Sequence, residues 1–279
     1  MFSYNFQIIC HHNNTFAPPV QDLQYSTTTK SPDYHKPSPH SLPRGVLHYQ
    51  KTVELAAKYH IMLDIHEPTK GTGIERTYPN LMTREGARGQ EYEGGAIQPS
   101  HACFLPYTRL LAGGMDYTPG ILDVTNFAKR MSTTITRQLA YYLTIYSPMQ
   151  MAADRPQIYE NMAPDLFEFI RDVPVKWERT IPLLGEVGKS FVLARQAWES
   201  SDWYIGGITN EEARRVDLYI DFLEPQVNYV AKIYRDSEDA HYRDHQLGHV
   251  VEERIVRNGD HVEMYMAPGG GFAIKLHKQ

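Results

Sequence analysis

Three glutamates, Glu67, Glu85 and Glu91, lie in the block DIHEPTKGTGIERTYPNLMTREGARGQEYE (residues 64–93), eighteen and six residues apart. A carboxylate acts as general acid, general base or ligand to a hard cation. Between them, Arg76, Tyr78, Asn80 and Arg84 offer hydrogen-bonding groups suited to a hydroxyl-rich ligand. His66 sits directly before Glu67. A stretch of this length in a soluble protein also carries glutamates on solvated faces, and a lone histidine is often simply packed and satisfied. By themselves the residue types leave both readings open.

Other candidates carry weaker signals. Asp116, in GGMDYTPG, reads as a rim residue or as a turn-forming aspartate before Pro-Gly. Asp154, in AADRP, reads as a cap or a loop residue. His11-His12 has no partner ligands at helical or hairpin spacing. The stretch DSEDAHYRDH (236–245) reads as a solvated loop, Tyr142 as core, and Trp198 and Trp203 as sandwich core. No helix follows the glycines at 269–271, so they do not read as a phosphate loop.

The elements that must position these groups alternate. In VLHYQKTVELAAKYH the apolar residues Val46, Leu47, Val53, Leu55, Ala56 and Tyr59 follow a helical period, and the apolar run IMLDIH (61–66) follows as a strand ending at His66-Glu67. NLMTREGARGQEYE has helical character after Pro79, and FLPYTRLLAGGMDYTPG (104–120) reads as a strand region entering a loop. Residues 126–147 and 163–174 read as helices, and 147–156 as a strand end or loop. Helix and strand in alternation, with polar residues at strand C-termini, fit βα barrel units. A closed eight-stranded barrel takes about 250 residues, so residues 45–183 supply only part of one. From Leu184 onward, short β segments separated by turns such as Asn258-Gly259-Asp260 indicate an antiparallel β-sandwich (184–279). The fold class is therefore α/β plus all-β: the C-terminal part of a (β/α)8 barrel, then a sandwich. Residues 1–44, rich in Pro, Ser and Thr and without periodicity, read as disordered or poorly packed.

Composition narrows the function. The 279 residues carry a net charge of −5 and no long basic run, which argues against a nucleic-acid partner. Cys10 and Cys103 are too far apart in sequence to suggest a disulfide framework or zinc site, and Cys103 is expected to be a buried thiol. There is no apolar stretch of about 18 residues, so no membrane span is expected, and the N-terminus does not read as a signal peptide. Tyrosine is abundant, 19 against 10 Phe and 3 Trp, which suits both sugar binding and a sandwich.

The run H-E-x3-G-T-G-I-x-R-T-Y-P-N-L-M-T-R-E-G-x-R-G-x-E-Y resembles the signature of glycoside hydrolase family 97. These are α-glucosidases and α-galactosidases of gut Bacteroidetes, best known from starch-utilisation systems. The likeness continues through LPYTRLLAGGMDYTPG, Ser147–Pro156 and WERTIPLLGEVGKSFVLARQAWESSDWYIGGIT, and covers roughly residues 45–279. It implies an N-terminal β-sandwich, a catalytic (β/α)8 barrel and a C-terminal β-domain, of which this chain would hold the last parts. It places the general acid at Glu91, the base of the inverting α-glucosidase branch at Glu67, calcium ligands at Glu67, Glu85 and Glu91, and a sugar contact at His66. It further implies an oligosaccharide substrate and a periplasmic or secreted location; oligomeric state stays open. Inverting cleavage of terminal α-glucosidic bonds is the expectation. A retaining α-galactosidase of the same family, and a truncated inactive remnant that at most binds sugar or calcium weakly, are the rival readings.

Overall fold

The computed structural model describes residues 6–9, 41–66, 73–92, 96–126, 131–161 and 164–279. Most of the 1–44 segment, with Cys10, His11 and His12, lies outside the described residues, as does Glu67. The chain divides into two compact units, residues 1–87 with 112–116, and residues 88–111 with 117–279.

In the first unit, helix α1 (Ser41–Lys58) turns Tyr49, Val53 and Ala56 onto Ile61, Leu63, Ile65 and Leu81. The i, i+4, i+7 spacing puts those three side chains on one helical face. Val46 and Leu47, expected on that face, are 41% and 50% exposed instead. The helix ends where His60 adopts a left-handed φ of 56°, and Ile61 N–H reaches back to Ala56 O at 3.0 Å. That is the six-to-one hydrogen bond of a Schellman cap.

Strand β2 (Met62–Ile65) follows, flanked antiparallel by β1 (Phe6–Ile9) and parallel by β3 (Leu81–Arg84). Parallel neighbours need a crossover, and the segment between them includes one helical turn, Ile74–Thr77. The expectation of a helix after Pro79 is corrected here: residues 81–84 are strand. Leu81 and Thr83 are buried beside β2, and Leu63 N–H bonds Asn80 O at 2.7 Å. The segment is stopped by Gly86, which takes a left-handed φ of 65°.

The second unit is built on a six-stranded antiparallel sheet. Its strands are β4 (Trp177–Glu186), β5 (Ser190–Ala197), β6 (Trp203–Thr209), β8 (Tyr229–Asp236), β9 (His249–Val256) and β11 (Gly271–Lys278), in the order β4-β5-β6-β11-β8-β9. A strand pair, β7 (Arg214–Ile220) with β10 (Asp260–Met266), covers one face. There Leu218, Ile220, Val262 and Met264 pack on Val192, Ala194, Ile205, Ile233, Phe272 and Ile274. This is the antiparallel sandwich.

The other face of the same sheet is also buried. Leu193, Tyr204, Tyr234 and Ala273, each one residue out of phase with the first set, pack under α3 (Ile135–Thr144) and α5 (Pro164–Asp172). Side chains alternate faces along a strand, so buried helices above and a strand pair below leave β6 with no exposed position. Two shorter helices, α2 (Pro99–Phe104) and α4 (Pro156–Asn161), complete the helical part. The strand expected near 104–120 does not form. Leu105–Tyr107 is a 3-10 turn with Pro106 in it, and residues 117–123 are irregular.

Gly206 lets α3 come close. A Cβ there would meet Leu143 Cβ at 2.7 Å, inside van der Waals contact. Trp203 is core, as expected, but Trp198 is 42% exposed, with Lys176 Nζ 3.7 Å from its ring centroid. Helix α3 is buried along its whole length, including Arg137, which donates to Pro99 O at 2.6 Å and Thr209 O at 2.7 Å and lies against buried Cys103. Among the described residues no helix is long and apolar enough to cross a membrane.

Candidate active site

In the first unit the chemistry gathers where β2 and β3 end. Asp64 and His66 are two residues apart on extended chain, which turns both to the same side. Asp116 comes from the short segment 112–116, whose N–H donates to Arg84 O at 3.1 Å and so extends the edge of β3. His66 Nε2 lies 2.5 Å from Asp116 Oδ2 and 3.9 Å from Asp64 Oδ2. All three residues are buried, the two aspartates completely. The backbone beneath them is tied: Tyr49 Oη donates to His66 O at 3.5 Å, and Glu85 N–H to Ile65 O at 3.0 Å.

Neither carboxylate oxygen of Asp64 has an N–H or O–H donor in bonding geometry among the described residues. Burial pushes its carboxyl up to about 8, and neighbouring Asp116 adds to the rise; the nearby His66 offsets only part of it. Both effects favour the protonated acid over the carboxylate.

Among the described residues, Asp64, His66 and Asp116 form a group of the right types to hold a metal ion, with donor atoms within 4.8 Å of one another. Two ligands of one ion, each at about 2.0–2.2 Å, stand farther apart than the 2.5 Å between His66 and Asp116. As placed, His66 and Asp116 share a hydrogen bond.

In the second unit, Glu91 is exposed in a turn, and the residue before it is anchored. Gln90 and Gln138 are buried and exchange amide hydrogen bonds at 3.0 and 2.7 Å. Gln90 Nε2 also donates to Thr118 O at 2.8 Å and its N–H to Tyr117 O at 3.2 Å, while Gly120 N–H donates to Gln138 Oε1 at 3.2 Å. Tyr92 N–H closes the turn onto Gly89 O at 3.1 Å, and Arg88 lies over the Tyr92 ring. This network holds the backbone of the turn that carries Glu91.

Of the four residues expected from sequence, then, His66 sits in a buried cluster, Glu85 is half-buried after β3, Glu91 is exposed in its turn, and Glu67 lies outside the described residues. Sequence reasoning passed over Asp64, Gln90 and Gln138. The D-x-H spacing on a strand was a usable signal for Asp64. Nothing local marks two glutamines 48 residues apart as partners.

Two family models match the chain: "Glycosyl-hydrolase 97 C-terminal, oligomerisation" over residues 176–277 and "Glycoside hydrolase 97" over residues 33–87. A family 97 enzyme of Pseudoalteromonas sp. strain K8, solved as an E480Q variant with panose, is 42% identical with a TM-score of 0.79, over 84% of this chain. The chain belongs to glycoside hydrolase family 97. The same Pseudoalteromonas enzyme has also been solved with acarbose. A retaining α-galactosidase of Bacteroides thetaiotaomicron is 33% identical over 240 residues, 81% of this chain. A β-arabinopyranosidase shares the fold at 22% identity and a TM-score of 0.69. The family 97 chain spans about a third of the length of these relatives, 35% of the galactosidase and 37% of the Pseudoalteromonas enzyme.

Proposed function

We propose that this family 97 chain carries the acid and the base of a glycoside hydrolase that cleaves terminal α-glucosidic bonds of oligosaccharides with inversion. The observation that carries the reading is the 42% identity, over 84% of the chain, to an enzyme that holds panose and acarbose. In this reading Glu91 protonates the departing glycosidic oxygen, and Glu67 takes a proton from the water that attacks the opposite face of the sugar. Inversion calls for about 6.5–9.5 Å between the two carboxyls to admit that water. Anchoring of Gln90 supports the acid, because a carboxylate on a fixed backbone loses less freedom when it meets the leaving group. His66 contacts the sugar. Residues 45–183 are the barrel part and 184–279 the C-terminal domain, and the location is periplasmic or secreted.

Calcium belongs to the same proposal. Three carboxylates, Glu67, Glu85 and Glu91, make an all-oxygen donor set, which suits a hard cation that takes about 6–8 oxygens. Glu85 is half-buried and Glu91 exposed. When bound, the ion would supply positive charge beside the carboxylates and the sugar hydroxyls.

The retaining α-galactosidase reading is favoured by the Bacteroides relative. Hydrolysis of an aryl α-glucoside and an aryl α-galactoside with added calcium, with Glu91→Gln as control, separates the two sugars. Proton NMR of the first-formed anomer separates the two outcomes. The β-anomer of glucose, lost in the control and on chelation, is the expected product. The α-anomer would remove Glu67 as base, and no calcium-dependent turnover would remove the activity altogether.

A further inference from the structure

The outer face of the β7–β10 pair carries groups that the core beneath it does not use. Side chains alternate along both strands, with Leu218, Ile220, Val262 and Met264 turned inward. The residues between them form three cross-strand pairs on the outward side: Arg215 with Tyr265, Asp217 with Glu263, and Tyr219 with His261. We propose that this face is a binding platform for a neutral oligosaccharide. The platform uses none of the residues given above as acid, base or calcium ligand, so it stands or falls separately from them.

Three observations carry it. First, Tyr219 presents an open ring. It is 66% exposed, and the His261 ring lies beside it with centroids 5.1 Å apart and planes at 48°. A pyranose has an apolar C–H face and a rim of hydroxyls, so it needs a flat ring below and hydrogen-bonding groups at the edge. Second, carboxylates supply that edge. Asp217 and Glu263 stand directly opposite each other, an arrangement of like charges that by itself destabilises a sheet. Each is steadied by one basic neighbour: His261 Nε2 lies 3.0 Å from Asp217 Oδ1, and Arg215 Nη1 donates to Glu263 Oε1 at 3.3 Å. A carboxylate accepts through two oxygens, so Asp217 Oδ2 and Glu263 Oε2 can each take a sugar hydroxyl. Third, the frame is fixed. Arg215 Cζ sits 4.9 Å over the Tyr265 ring, and Arg215 Nη2 donates to Glu238 Oε2 at 2.7 Å. Side chains held in this way on paired strands lose little freedom when a ligand lands on them.

The charge of the face selects the ligand. Three carboxylates, Asp217, Glu238 and Glu263, set against one guanidinium and one imidazole, oppose a phosphate backbone or an anionic membrane. Among the described residues only Asp64, His66 and Asp116 bring three such donor atoms within 4.8 Å of one another, so this face forms no cation cage. An apolar protein partner would meet one exposed ring among charges, whereas the cores of protein interfaces are depleted of charge. An uncharged, hydroxyl-rich ligand matches both the ring and the acceptors.

The test titrates the 15N-labelled 279-residue chain with maltoheptaose, in the Glu91→Gln variant so that the sugar is not consumed. Amide shifts are expected along residues 214–220 and 260–266. Tyr219→Ala should weaken binding at this face about tenfold, and Tyr219→Phe, which keeps the ring, should stay within about twofold of the parent. His261→Ala should weaken it several-fold and serves in place of Tyr219→Ala if that variant does not fold. Added salt should leave the affinity unchanged, because the ligand carries no charge. Absence of shifts on these two strands overturns the proposal, as does unchanged affinity in a folded Tyr219→Ala protein. A response to oligolysine but not to maltoheptaose also overturns it and marks the face as a dock for a basic peptide. Platform binding with no turnover by the wild-type chain would leave this inference standing and remove the activity proposed above; turnover with no platform binding would do the reverse.

Discussion

Asp236 tests the electrostatics of the second unit. Its carboxylate is fully buried at the end of β8, where Oδ2 accepts Ala267 N–H at 2.9 Å and Gly271 N–H at 2.8 Å, and Oδ1 accepts the Thr136 hydroxyl. Burial pushes its pKa up to about 6 from 3.8, against the pull of those donors. The folded chain therefore holds this proton more tightly than the unfolded chain. The associated stability is fully present below pH 3.8 and is lost as pH rises through about 6. At about 1.4 kcal/mol per pKa unit, the loss is about 3 kcal/mol.

Asp236→Asn keeps an oxygen for the two backbone N–H groups and turns an amide N–H toward Thr136, so it removes the charge and keeps the bonds. Urea unfolding read from tryptophan fluorescence suits the measurement, because all three tryptophans, Trp177, Trp198 and Trp203, lie in this unit. Between pH 4 and pH 7 the wild type should lose about 2.4 kcal/mol relative to the asparagine variant, the rest having gone below pH 4. Asp236→Ala strands two buried N–H groups and should cost about 2–6 kcal/mol at every pH. Parallel pH profiles for wild type and Asp236→Asn, or an alanine variant as stable as the asparagine one, would refute the reasoning.

Gly206→Ala drives a methyl group into Leu143 and should lower stability by about 1–3 kcal/mol, seen in a thermal melt. His60→Gly should raise the stability of the first unit by up to about 1 kcal/mol, because His60 is exposed and pays for a left-handed φ that glycine adopts freely; hydrogen exchange at the end of α1 would report it. Gln138→Met leaves Gln90 and Gly120 N–H without their partner, at about 1–3 kcal/mol. If Glu91 is the acid, it should also lower kcat more than it raises KM.

The β-sandwich was legible because its strands alternate and are punctuated by turn residues, and the helices at 135–144 and 164–172 because their apolar positions recur at helical spacing. β3 was missed because Leu81–Arg84 is too short to display a period, and its pairing with β2 is a tertiary fact. The irregular chain after Leu105 was misread because apolar residues there pack without any repeating pattern. At the site, the motif pointed to His66 and to the glutamates. It could not show that Asp116 reaches across 50 residues to the imidazole, since only the fold brings that pair together. Nor could it show that Asp64 is fully buried beside the same pair, because that follows from exclusion of water by the fold.

The six-stranded sheet, closed by the strand pair on one side and by α3 and α5 on the other, has a consequence for cooperativity. Among the described residues, Leu193, Tyr204, Tyr234 and Ala273 share their cluster with Leu122 and with side chains of α3, α4 and α5, all of which precede Trp177 in sequence. A cut in the chain between α5 and β4 would bare one whole face of the sheet to water. The helical segment and the sandwich thus melt and form together, and the smallest piece able to fold reaches back across the boundary that the change of strand pattern suggests.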